Sequence, residues 1–106
     1  MKNNELSVVE NLLGAYFHQD WGSLFENWRG CLFAAIESNS LIWEQQLQVQ
    51  LETMLANLSD ADIEAFFRQS HTDIDPIYDS GMNHRAWLQE VKRLIAEDIA
   101  RRTAEF

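Results

Sequence analysis

The chain has 106 residues, too few to divide into two independent cores, and its 46% apolar and 11% aromatic content is enough to bury one, which excludes a disordered chain. Seventeen acids against eight bases give a net charge of −9. That balance argues against a phosphate-binding face, which needs clustered Lys and Arg, so nucleic acid is not an expected partner.

One Pro, four Gly, abundant Ala, Leu, Glu and Gln, and no period-2 runs of β-branched residues predict an all-α fold, a compact single-domain array of about five helices. In the first segment, residues 5–18, Leu6, Val9, Leu13, Tyr16 and Phe17 recur at helical spacing, with Leu12 widening the stripe. Gly14 inside it costs about 1 kcal/mol relative to Ala and is expected where another helix packs closely. Ser23-Leu24-Phe25-Glu26 reads as a capping box opening a second helix, whose inner face is Phe25, Trp28, Leu32, Ala35 and Ile36. Ser38-Asn39-Ser40 stops it and caps a third helix, residues 41–57, with the stripe Leu47, Leu51, Met54 and Leu55 continuing to Leu58; Gln45, Gln46, Gln48 and Gln50 fall mostly on its solvated face. Ser59-Asp60-Ala61-Asp62 caps a short helix with Ile63, Phe66 and Phe67 inward, ending near Ser70. His71 to Asn83, with the single Pro, is the one long irregular connection. The last helix, capped by Asn83, buries Ala86, Trp87, Val91, Leu94, Ile95 and Ile99, with Arg101 and Arg102 near its end complementing the helix dipole.

Little in the chain points to catalysis. His18 and Asp20, with His71, Asp73, Asp75, Asp79 and His84, form the only collection suggestive of metal or acid–base chemistry, but His18 has no ligand partner at i+3 or i+4. A calcium loop counted from Asp73 fails where Ile77 and Tyr78 fall at its fifth and sixth positions. Cys31, the single cysteine, lies in a predicted helix beside Leu32 and Phe33, where inert burial is expected. It can form neither an internal disulfide nor a multi-cysteine zinc site, which favours a reducing compartment, the cytoplasm. The opening MKNNELSVVENLL lacks the apolar stretch of a signal peptide, and there is no run of membrane-spanning length. No enzyme activity, metal, cofactor or membrane partner is therefore expected.

Charge is the more informative feature. Residues 37–79 carry nine acids against one base, a net −8 of the total −9. Asp60, Asp62, Glu64, Asp73, Asp75 and Asp79 crowd the short fourth helix and the connection after it, opposed only by Arg68. Two readings stand: a solvated, solubilising face, or a docking surface whose field steers a basic partner. An apolar or basic contact around Arg85, Lys92 and Arg93 is the other location to test.

LLGAYFHQDW, residues 12–21, resembles the opening signature of the CdiI family, immunity proteins of bacterial contact-dependent growth inhibition. The Trp28 helix, the polar-to-apolar third helix, the DPIYDSG connection with Pro76, and the Trp87-Leu88 pair opening the last helix follow the same layout, so the resemblance spans nearly the whole chain. It implies a small helical, noncatalytic protein that binds the C-terminal toxin domain delivered by a neighbouring cell and neutralises it in the cytoplasm. Such toxins are commonly nucleases. A nuclease needs a cationic site for phosphate, and this chain is acidic enough to occupy one stoichiometrically, as a monomer before binding; a generic acidic adaptor for another basic protein is the alternative. Gly14, Tyr16, Phe17 and Trp21, with Trp87, are read as scaffold; His18 is open to a hydrogen bond within the bundle and Asp20 to capping the turn that follows. Gly22-Ser23-Leu24 stands after the motif where many relatives are more acidic, so the expected toxin contacts are Asp60, Asp62, Glu64, Asp73, Asp75 and Asp79 instead.

Overall fold

In the computed structural model, which describes residues 6–104, every regular element is helical. α1 (Ser7–Asn11) runs directly into a π-helical turn (Leu12–Tyr16). There follow α2 (Trp21–Leu24), α3 (Trp28–Glu37), α4 (Leu41–Asn57), α5 (Asp60–Gln69), α6 (Pro76–Ser80) and α7 (His84–Ala104). The all-α class stands, but seven α-helices replace the expected five among the described residues, because α2 and α6 are separate single turns. α4 and α7, the two longest, form the most extensive pair; α1 packs on α4, and α5 and α6 pack on α7.

The first helix departs from its expected geometry at Leu12. Phe17 donates its N–H to the Leu12 carbonyl five residues back, at 3.2 Å, the signature of π geometry. The wider turn swings Phe17 beneath Leu12, so that Val8, Val9, Leu12, Leu13 and Phe17 are all buried on one side. Gly14 lies in this turn because the chain of the α5 end passes over it: a Cβ there would stand 2.9 Å from the Ser70 carbonyl. α1 is held at its start by Gln50, whose Oε1 accepts from Val8 and Val9 at 2.7 and 3.2 Å. Gln50 is thus half-buried and structural, as a solvated-face assignment would not have it, while Gln45 and Gln46 remain exposed.

The second helix does not begin at Ser23. Ser23 lies inside α2 and donates its hydroxyl to the Asp20 carbonyl at 2.9 Å, Phe25 is extended, and α3 starts after Asn27, whose Oδ1 accepts from Gly30 at 3.1 Å. Burial overrides the local capping signal, since folding 21–24 into its own turn lets Trp21 reach Phe17 and leaves Trp28 free to reach Trp87. The other caps fall as read: Ser40 accepts from Trp43, Ser59 and Asp62 form a reciprocal box, and Asn83 accepts from Ala86 at 2.8 Å.

Trp87 is the centre of the core. It is fully buried and makes edge-to-face contacts with Phe17, Trp28 and Phe67 at centroid separations of 5.4, 5.5 and 6.0 Å, joining the π-turn, α3, α5 and α7. Trp21 extends the cluster against Phe17 at 5.6 Å. At the far end of the α4–α7 pair the core contains ionisable groups: Glu44, fully buried, accepts from Arg102 at 2.7 Å, and buried Asp98 accepts from Arg101 at 2.7 Å.

Candidate functional site

The connection that carries Asp73 and Asp75 is anchored on the LLGAYFHQDW segment. Phe17, where the π-turn ends, offers its carbonyl outward, and it accepts from the Thr72 hydroxyl at 3.1 Å and the Asp73 N–H at 2.8 Å. His71, in the left-handed region at φ 56, closes α5 and turns the chain back to this anchor. The connection then buries Ile74 and Pro76 and forms α6 instead of the irregular loop expected for residues 71–83.

α6 is fixed from both ends. Pro76 occupies its first position, where the missing N–H is no loss and φ is already helical. Asp79, half-buried, accepts from the Asp75 N–H at 2.8 Å. Ser80 donates its hydroxyl to the Pro76 carbonyl at 2.6 Å, and Gly81, at φ 76, closes the turn with its N–H on the Ile77 carbonyl at 3.0 Å.

The six acids therefore differ in what they do. Asp60 is exposed but paired with Arg85 at 2.6 Å, and Arg85 also donates to the Leu55 and Leu58 carbonyls at 2.9 and 2.5 Å, tying the end of α4 to the starts of α5 and α7. Asp62 serves the α5 capping box and Asp79 holds α6. Glu64, Asp73 and Asp75 are exposed, and no described residue pairs with their carboxylates. Asp60 and Glu64 meet α6 and α7 round a cleft of about 120 Å³ lined also by Ile77, Asn83, His84 and Arg85. Asp75 and Asp79 flank Ile77 along the chain.

Apart from Arg85, the basic residues of α7 are occupied elsewhere. Arg93 pairs with Glu90 and Glu97, Lys92 faces Glu52 at 4.0 Å, and Arg102 reaches Glu44. Hydrogen bonds from Arg93 hold the Glu90 carboxyl below its usual range. The acidic surface of α5 and α6 is thus left uncompensated except by Arg85 and Arg68.

The motif residues are mostly scaffold. Tyr16 is half-buried, its hydroxyl accepting from Asn39 at 2.9 Å; Phe17 and Trp21 are buried. His18 Nδ1 accepts from the Asp20 N–H at 3.1 Å, a local turn. Asp20 occupies the α2 cap position, but its carboxylate makes no cap bond; its carbonyl accepts from the Ser23 and Leu24 N–H groups at 3.1 and 3.2 Å. Cys31 is fully buried, donates to the Tyr16 carbonyl at 3.2 Å, and has its thiol pushed up to about 11 by burial. Among the described residues no group of three or more His, Cys, Asp or Glu side chains is placed to hold a metal, and no helix is long and apolar enough to cross a membrane.

Two residues of the site enter the sequence reading only as the positions that break a calcium loop, not as contacts. Ile77 is 61% and Tyr78 86% exposed, side by side on α6. Their place in DPIYDSG gave no signal of this, because which side of so short a helix faces solvent is known only once Ile74 and Pro76 are seen to be buried.

A rigid helical scaffold that presents acids and exposed apolar side chains on one face is the layout of a protein-binding protein. The sequence model of a family described as CdiI immunity protein matches residues 5–95, and the chain belongs to that family, whose members bind cognate toxin domains of contact-dependent growth inhibition systems. Comparison with curated proteins and with solved structures finds no match in either set.

Proposed function

We propose that the chain protects the cell that makes it by binding a cognate toxin domain, a basic nuclease, one to one, and occluding its cationic active site with the surface of α5 and α6. The contact residues are Asp60, Asp62, Glu64, Asp73, Asp75 and Asp79. The observation that carries this reading is the charge imbalance that persists after folding. Arg93, Lys92 and Arg102 are engaged within or beside α7, whereas Glu64, Asp73 and Asp75 face solvent with no described partner. A field of this sign raises the encounter rate with a positive site and fixes its orientation. The protein acts in the cytoplasm as a monomer until it meets the toxin, and it uses no metal or cofactor.

The test uses a C-terminal toxin domain of a contact-dependent growth inhibition exoprotein whose gene adjoins that of this chain, the partner that the family assignment calls for. Titrating the chain into that domain should abolish nuclease activity at equimolar ratio, and the complex should form equally after both proteins are treated with a chelator. Protection at far below equimolar ratio that grows with time would mean catalysis and overturn the occlusion mechanism.

A further inference from the structure

The acids explain attraction to a basic partner but leave Ile77 and Tyr78 unaccounted for. Single exposed apolar side chains are ordinary. Here two adjacent ones stand on a turn whose every end is fixed: Ile74 and Pro76 are buried beneath it, Asp79 accepts from Asp75, and Ser80 and Gly81 close it. Tyr78, at 86%, is the most exposed of the large apolar side chains described. A rigid aromatic loses little freedom on binding and buries about 150–250 Å² when it enters a pocket. Such residues dominate interface energetics when they lie centrally and are ringed by polar groups. Asp75 and Asp79 flank the pair in sequence, and Asp60 and Glu64 share the adjoining cleft with Ile77.

Charge selects the occupant. A second copy docking here about a two-fold axis would bring the same acids face to face, in a chain of net charge −9. A nucleic acid would be repelled by the same acids. The cleft, about 120 Å³, falls well below the roughly 300–1,000 Å³ of small-molecule sites. What fits is a protein surface with an apolar pocket rimmed by Lys or Arg.

We propose that Ile77 and Tyr78 are the apolar anchor of the docking surface, with Tyr78 entering a pocket rimmed by basic side chains on the toxin domain. The inference rests on the toxin reading above and adds a division of labour: the acids govern association, and the α6 pair governs dissociation.

Stopped-flow or surface-binding kinetics of Tyr78→Ala and Tyr78→Phe against the same toxin domain test it. Tyr78→Ala should speed dissociation by about 30-fold, the size of an interface hot spot, with association and its salt dependence close to wild type. Tyr78→Phe should keep most of the residence time, and both variants should melt with wild type because the side chain is exposed. A Tyr78→Ala dissociation rate within twofold of wild type would overturn the anchor while leaving the toxin reading intact. Failure of the folded wild-type chain to bind the toxin domain would overturn both. Concentration-dependent self-association of the wild type that Tyr78→Ala abolishes would overturn the anchor in favour of a second copy.

Discussion

Glu44 is the residue that the pattern of α4 would have given to a leucine. Extended one turn toward the N-terminus, the stripe Leu47, Leu51 and Met54 lands on it, and it is buried as completely as they are. One oxygen accepts from Arg102, 58 residues away, and the other, like Asp98 Oδ2, finds no donor unless a proton is shared between the two carboxyls. Burial first, and then the hydrogen bond with Asp98, push the Glu44 carboxyl up to about 7. Burial opposes ionisation of Asp98 too, but bonds from Arg101 and Glu44 outweigh it and hold that carboxyl low, so the proton resides on Glu44. Because the folded value lies above the unfolded one, the native state retains a proton that the unfolded chain has lost. Glu44 therefore contributes stability that is fully present below the ordinary value of 4.5 and is lost as pH rises through about 7. Asp98, shifted the other way, contributes above its ordinary value and loses that contribution in acid. Denaturant unfolding of wild type and Glu44→Gln at pH 5 and pH 8 checks this. The variant, which keeps an acceptor for Arg102 and gains a donor for Asp98, should lose less stability between the two than wild type does. Equal changes would mean that Glu44 is ionised throughout. None of this was legible in the sequence, where a lone glutamate among glutamines gives no sign that its partners lie at the other end of the chain.

Among the elements, those whose start depends on neighbours within three residues were legible, and those shaped by distant packing were not. Ser59 with Asp62, Ser40 and Asn83 cap α5, α4 and α7 through bonds confined to one turn. The box at Ser23 has the same local chemistry, yet the helix begins at Trp28 because Trp21 and Trp28 must both reach an aromatic cluster built from α5 and α7. The π-turn at Leu12–Tyr16 is likewise set by the approach of Ser70 over Gly14 and by the need to bury Phe17. The two boxes make a matched experiment. Ser59→Ala should cost about 1 kcal/mol in thermal or urea unfolding, the usual value of an N-cap. Ser23→Ala removes only a hydroxyl on the Asp20 carbonyl at an exposed site, and should cost less than about 0.5 kcal/mol. Equal losses would show that Ser23 does cap the second long helix. The same division explains the site: charge on Asp73 and Asp75 needs no partner to be read, but the outward aim of Ile77 and Tyr78 depends on the burial of Pro76 and Ile74.

At the scale of the molecule, the fold separates its charges. α7 keeps most of its bases within ion pairs, the buried aromatic cluster round Trp87 fixes the relative positions of α3, α5 and α7, and the signature motif attaches the acidic connection through the Phe17 carbonyl. The surface that results is acidic because, among the described residues, only Arg85 and Arg68 offset its six acids, and the central claim is that this surface steers a basic toxin domain. Asp60, Asp62 and Asp79 are poor probes of it, because each also holds the fold. Glu64, Asp73 and Asp75 are good ones. The deciding measurement is the association rate across a salt series for wild type and for the triple reversal Glu64→Lys, Asp73→Lys, Asp75→Lys, with thermal unfolding alongside. Steering predicts an association rate about tenfold or more lower at low ionic strength and a flattened or inverted salt slope, with the melting temperature little changed. Equal rates and equal salt slopes in two folded proteins would contradict the account.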